Sequence, residues 1–279
     1  MNVLVEQLHS KSLKPFIVIS FDDGYVDNYL EAKPLLEKYE LPATFFISNK
    51  HIGTTKAFWW DELAYLLLQV KSLPATLSIH LNKELIIYNL KDDAVLTEEK
   101  FQKHRLWNYT LTPPTRRAAL YISLWKLLSP LPYEEQQDFL EELKRWAGTQ
   151  QQIDANYFSM SERQLTDLAD CELFTVGGHT VSHLALSHHA VEIQHQEIAH
   201  NKQYLEAATG EEIDTFAYPS GNFNETTVNI LKQQGFRSAF TTHHQSVQSQ
   251  TDPFRVGRFQ IGNWSGKKFN QMLSQFSHN

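Results

Sequence analysis

The 279 residues are 42% hydrophobic and 20% charged, a balance that supports a buried core and excludes a largely disordered chain. A net charge of −7, from 25 basic and 32 acidic side chains, excludes nucleic-acid binding by wholesale phosphate neutralisation. It leaves a polyanionic or lipid-linked substrate open, because local patches can oppose the net sign.

Taken in chain order, the N-terminal apolar run is only Leu4-Val5 before Glu6 interrupts it, which is no secretion-signal core. No stretch approaches the ~18 apolar residues of a membrane-spanning helix. Cys171 is the sole cysteine, so no intramolecular disulfide can form. The expectation is a cytoplasmic protein with no transmembrane segment, compatible with peripheral membrane association; oligomeric state is left open.

Residues 16–19 (Phe-Ile-Val-Ile) predict a buried strand running into Ser20-Phe21-Asp22-Asp23-Gly24. A helix to about residue 39 follows, with Pro34 in a first turn or at a kink, and residues 43–47 predict a second strand. Strand, helix, strand in about 30 residues implies a parallel sheet. Between residues 58 and 157 the texture changes to an apolar helix (59–70), a hairpin turning at Asn82-Lys83, and amphipathic helices at 115–128 and 133–146, the latter closed by Gly148. Trp59, Trp60, Trp107, Trp125 and Trp146 all fall here; Trp59 and Trp60 could line a sugar cleft, although a core role is the safer reading for either.

The βα rhythm then resumes. Ser161 to Gln164 is a capping-box pattern, and a strand near 173–176 ends at Gly177-Gly178-His179. A helix (191–208) stops at Gly210, a strand (214–218) ends at Pro219-Ser220-Gly221, and a helix (225–234) and a last good strand (237–241) follow. The chain thus divides into 1–57, a largely helical insertion at 58–157, and 158–279.

Chemistry-bearing residues sit where strands end, as in α/β sites generally. Asp22 and Asp23 repel one another, so their coexistence in one pocket calls for a cation, although Asp-Gly is also a common turn. His179 and His183 are four apart, on one side if the segment is a helical turn, and can share a metal; a pair of surface histidines is the plainer alternative. Together, one Asp and two His form a three-ligand set with an open position for water, and the other Asp is free as general base.

Ser20–Gly24, His179–His183 and Phe216-Ala217-Tyr218-Pro219-Ser220-Gly221 resemble, in order and spacing, the first three motifs of the polysaccharide deacetylases (NodB homology, carbohydrate esterase family four). Phe58-Trp59-Trp60-Asp61-Glu62-Leu63 is similar to a branch found with surface-polysaccharide biosynthesis. The resemblance implies a distorted TIM-like (β/α) barrel of about seven strands carrying the insertion, and hydrolysis of an N-acetyl group on an amino sugar. It implies Asp23, His179 and His183 as ligands of a divalent metal, Asp22 as base, and the Ser220 backbone N–H as an oxyanion donor. Zinc suits the set first, with cobalt, nickel or manganese compatible. The expected partner is an N-acetylated carbohydrate, with Tyr25, Tyr218, Pro219, Phe223, Arg255 and Arg258 as candidate substrate-binding residues.

Two departures stand out. The family places an Arg two residues before the motif-three proline, to orient the base, where this chain has Ala217; Arg255 or Arg258 could supply that cation. The family's late Leu-x-Leu-x-His, which supplies the general acid, has no counterpart in residues 259–264, leaving His243, His244 or Asp22 itself. Alternatives are a same-fold amidohydrolase acting on a non-sugar amide and an inactive carbohydrate-binding module.

Overall fold

A computed structural model describes residues 2–10, 16–81, 84–149 and 153–276. The chain forms two compact units, Met1–Thr54 with Ser159–Asn279, and Thr55–Phe158. The described strands are β1 (Ile19–Phe21), β2 (Ala43–Ile47), β3 (Thr76–Leu81), β4 (Glu84–Asn89), β5 (Phe174–Gly178), β6 (Thr215–Ala217) and β7 (Ser238–Phe240).

In the first unit β1-β2-β5-β6-β7 pair in that order, all parallel, in a sheet curled into a half-barrel with helices against it. This is the distorted (β/α) fold expected, built on five paired strands among the described residues rather than about seven. The segment after β7 shows why. Ala239 N–H donates to Pro253 O, Val256 N–H to Ala239 O, and Thr241 N–H to Val256 O, but a turn closed by Arg255 N–H on Asp252 O interrupts the ladder. Only the isolated bridge between Phe240 and Val256 survives, so Arg255 and Arg258 lie on an irregular segment.

The first strand also differs. Its ladder opens at Ile19 opposite Ala43, and Phe16 and Ile17 are exposed. Pairing further back would meet Pro42, which has no N–H to donate. Downstream, a π-helical segment (Asn28–Ala32) precedes helix Lys33–Lys38, with Pro34 in the latter's first turn.

β2 is buried along its whole length. Alternation sends Phe45 and Ile47 into a core with Leu165, Leu168, Ile198 and Leu231 from the covering helices. Phe46 points the other way, into a second cluster with Ala217, Phe240, Val256 and, from helix Asn2–Ser10, Leu4 and Leu8. Gly177 belongs to this packing: a Cβ there would lie 2.5 Å from Phe46 Cδ1. The expected helices appear at Glu162–Ala169 with its capping box complete, Val191–Thr209 ended by left-handed Gly210, and Glu225–Gln233. Helices Asn2–Ser10 and Gly266–Phe276 were not expected.

The second unit contains helices Trp59–Leu68, Glu98–Leu106, Arg116–Leu128 and Tyr133–Ala147 and the antiparallel β3–β4 hairpin. The expected turn at Asn82-Lys83 lies outside the described residues. Trp59, Leu63, Leu67, Leu77, Leu124 and Leu143 form its core, which is where Trp59 is consumed. Helix Glu98–Leu106 has little apolar periodicity to announce it. Its N-cap Thr97 accepts from Lys100 N–H, and charges of the right sign occupy both end turns. Arg117 is fully buried here. Its guanidinium donates to the carbonyls of Leu67, Val70, Asp93 and Ala94 at 3.3, 2.6, 2.5 and 2.5 Å, and burial pulls its pKa down to about 10. Among the described residues, no helix is long and apolar enough to cross a membrane.

Candidate metal centre and base

The site is assembled from the ends of β1, β5 and β6. Beyond β1, Gly24 N–H donates to Asp22 O at 3.0 Å across Asp23, whose φ is +75°. Such a three-residue turn is rare and strained for a non-glycine residue. It is Asp23 itself, and not only the following glycine, that breaks the strand's alternation and lets both carboxylates serve one site.

Beyond β5, His179 to His183 is no helical turn, which corrects the expectation. Thr180 and His183 have φ of +62° and +57°, and the segment is irregular. The histidines nevertheless converge, their ring centroids 5.0 Å apart. His179 Nδ1–H donates to Ala217 O at 2.7 Å, which leaves its Nε2 as the lone-pair nitrogen. His179 Nε2 and His183 Nε2 lie 3.2 and 3.3 Å from Asp23 Oδ1. Among the described residues only Asp23, His179 and His183 gather donor atoms in this way, all within 4.8 Å of one another.

The donor set fits a divalent cation. Asp23 Oδ1 is buried without a hydrogen-bond partner, a costly state for a carboxylate oxygen that a cation relieves. The histidines titrate apart: burial opposes charge on both. On His179 the neighbouring Asp23 and Asp22 more than offset burial and raise its pKa, whereas His183 falls to about 4, with the charge of His179 adding to its burial.

Asp22 is held by Arg258. Nη1 and Nη2 donate to Oδ1 and Oδ2, each at 2.7 Å. The guanidinium is itself fixed by Nε–H to Thr241 O (3.1 Å), Nη1 to Ser20 Oγ (3.2 Å) and the face of the Phe46 ring. Burial alone would raise the Asp22 pKa, but the charge and hydrogen bonds of Arg258, helped by both histidines, bring it below the ordinary carboxylate value. Arg255 does not share this task. It pairs at the surface with Glu225 and Asp252, so of the two candidate cations only Arg258 reaches Asp22.

At the end of β6, Ser220 is exposed with φ +53°. Of the six non-glycine residues with positive φ among those described, four (Asp23, Thr180, His183 and Ser220) fall in the three motifs. Backbone strain concentrates where the chemistry is expected. Tyr218 and Pro219, in contrast, are withdrawn as sugar-facing side chains. Both are buried, and the Tyr218 hydroxyl donates to Phe254 O at 2.9 Å. Phe223 is half-buried and stacks on Tyr218 at 4.2 Å; Tyr25 is half-buried and bridges to Ser159. His243 and His244 are exposed.

Sequence reasoning missed what supports the histidine loop. Asn201 and Glu197, on helix Val191–Thr209, and Ser48, after β2, bond its backbone. They carry no motif, and only their i,i+4 spacing on one helix face hints at a shared target.

The sequence profile of the polysaccharide deacetylases matches residues 9–80 and 139–239, more than half of the chain. The chain belongs to the polysaccharide deacetylase family. A curated relative, YxkH of Bacillus subtilis (strain 168), named provisionally as a polysaccharide deacetylase, is 54% identical over 37 residues, a match spanning 13% of either protein. Among solved structures, the Streptococcus pyogenes deacetylase PplD, in complex with acetate, is 17% identical with a TM-score of 0.50, over 97% of this chain and 76% of that one. A de-N-acetylase from Aggregatibacter actinomycetemcomitans is 15% identical with a TM-score of 0.53, over 99% and 80%. IcaB from Ammonifex degensii is 15% identical with a TM-score of 0.50, over 99% and 88%. At these identities the likeness speaks to the fold alone.

Proposed function

We propose that this member of the polysaccharide deacetylase family is a hydrolase that removes the acetyl group from an N-acetylated amino sugar, in a polysaccharide or its nucleotide- or lipid-linked precursor. The observation that carries the reading is the convergence of Asp23, His179 and His183 on one point, beside a second carboxylate clamped by Arg258. The de-N-acetylase among the fold relatives supports N-acetyl chemistry. The Phe58–Leu63 segment and the fold likeness to IcaB support the surface-polysaccharide branch.

Asp23, His179 and His183 would hold a divalent cation, zinc first among those that suit mixed nitrogen and oxygen ligands, and when bound it supplies Lewis acidity to water and amide carbonyl. Asp22 is ionised at neutral pH and accepts the proton of the attacking water, while the two-pronged grip of Arg258 fixes which way its oxygens face. The Ser220 N–H donates to the oxyanion as it develops, a contribution of roughly 2.7–4 kcal/mol for one such donor. Residues 259–264 hold no histidine and His243 and His244 are exposed, so Asp22 is assigned the return of its proton to the departing amine. The base, its arginine and the complete ligand set together disfavour an inactive binding module.

The test is acetate release from N-acetylglucosamine oligomers and lipid-linked glycans by zinc-loaded protein. Asp22→Asn is expected to slow release by about 10²–10⁴-fold without loss of zinc. If the zinc-loaded parent releases no acetate from any acetamido sugar, the enzyme reading fails.

A further inference from the structure

We infer that Asn201 and Glu197, one turn apart on helix Val191–Thr209, are the positioning residues that hold the His179–His183 loop in its ligand-presenting shape. The inference rests on the metal-centre reading above and extends it to a part of the chain that no motif reaches.

The loop cannot hold itself. It is irregular, two of its five residues are left-handed, and it makes no helical or sheet ladder of its own. Its backbone groups are satisfied from outside. His179 N–H donates to Asn201 Oδ1 at 2.9 Å, and His179 O accepts from Ser48 Oγ at 2.6 Å. Val181 N–H donates to the Glu197 main-chain carbonyl at 3.2 Å, and Val181 O accepts from Lys50 N–H at 2.8 Å. Ser182 gives both its N–H and its hydroxyl to the Glu197 carboxylate, each at 2.9 Å. Each histidine is therefore tied to the helix, directly through its own amide or through its chain neighbour.

Asn201 does more than accept. It is fully buried, and its Nδ2 donates to Ile47 O (2.9 Å) and Asn49 Oδ1 (2.8 Å), tying the end of β2 to the histidine loop at the end of β5. The sequence makes room for it: a Cβ at Gly178 would lie 2.9 Å from Asn201 Oδ1, so the residue before His179 must be glycine for this approach. An amide has the acceptor and both donors this junction uses, which a hydroxyl or an apolar side chain lacks. Glu197 plays the complementary part at the other end, where an acceptor with two oxygens takes two donors from one residue. Partners of this kind, one shell beyond the ligands, govern metal affinity through ligand orientation.

The experiment measures zinc binding by calorimetry and the visible spectrum of the cobalt-loaded protein for the parent, Asn201→Ala, Glu197→Ala, Glu197→Gln and Gln194→Ala. Gln194 is the control. It is buried like Asn201 on the same helix and bonds Thr227 and the His189 carbonyl, so it shares the structural burden without touching the loop. Asn201→Ala and Glu197→Ala are each expected to weaken zinc binding by about 10–100-fold and to alter the cobalt bands. Glu197→Gln, which keeps an acceptor oxygen for Ser182, is expected to recover most of the affinity, and Gln194→Ala to bind zinc like the parent. Should Asn201→Ala not fold, the Glu197 pair decides. Parent-like zinc affinity and cobalt spectra in both alanine variants, or an equal loss in Gln194→Ala, overturn the inference while leaving the metal centre intact. A parent that binds neither zinc nor cobalt overturns both. Since none of these readouts involves acetate, a failed deacetylase assay leaves them standing.

Discussion

Each of the two units contains an arginine withdrawn from solvent, and the two are used in opposite ways. Arg117 gives its donors to four main-chain carbonyls where segments of the helical unit meet, with no carboxylate among the described residues hydrogen-bonded to it. Arg258 gives two donors to the two oxygens of one carboxylate, Asp22, next to the cluster of Asp23, His179 and His183. A guanidinium that has lost much of its water must be satisfied in either case. Satisfied by carbonyls, it fastens chain segments together; satisfied by a carboxylate, it sets the charge and direction of that group. The same residue type thus ties main chain in one unit and orients a candidate base in the other, and the acceptors distinguish them.

The comparison breaks most visibly at Arg117. Arg117→Ala leaves several buried carbonyls without a donor, at about 1–3 kcal/mol for each group left unsatisfied. Denaturant unfolding is expected to show a loss of about 3 kcal/mol or more, and a loss under 1 kcal/mol would mean that water or a neighbour replaces the guanidinium.

Arg258→Ala has a smaller effect on stability and a larger one on chemistry. Without the guanidinium, the burial that raises the Asp22 pKa is less opposed, so the pKa rises. The acid limb of the kcat/KM profile is expected to move to higher pH. Because the folded Asp22 pKa is depressed, its pairing stabilises the protein above the unfolded carboxylate pKa, and that contribution disappears as pH falls through the folded value. The variant is accordingly less stable at neutral pH, by about 1.5 kcal/mol, and the part of that loss owed to Asp22 is gone in strong acid. An unmoved acid limb would place the base elsewhere.

Arg255→Ala sharpens the contrast from the other side. Its ion pairs with Glu225 and Asp252 are exposed, and such pairs contribute about 0.5 kcal/mol. Activity and its pH profile are expected to match the parent. A change comparable to that of Arg258→Ala would return Arg255 to the site.

How far the fold and site could be read from residues alone follows the range of the interactions involved. β2 was legible to the residue because a run of apolar and β-branched residues behind a proline admits few other readings, and so was the capping box at Ser161 and Gln164, which closes within four residues. Helix Glu98–Leu106 escaped because its stability comes from caps and end charges, not from an apolar stripe. The bend of the chain after β7 escaped as well, since its hydrogen bonds run to another strand.

By itself the sequence determined the chemical inventory: two adjacent carboxylates, a pair of histidines and a serine–glycine turn, each following a strand in the order of one family. Strand ends and motif spacing are local, so they survive in one dimension. Only the tertiary structure decided that Arg258 and not Arg255 meets Asp22, across 236 positions of chain, and that Tyr218 turns into the core. It also decided that the histidines converge through left-handed backbone, held from a helix whose Asn201 lies 22 residues beyond His179. Those outcomes depend on strand order and on which face each segment presents, and these emerge only when distant elements pack.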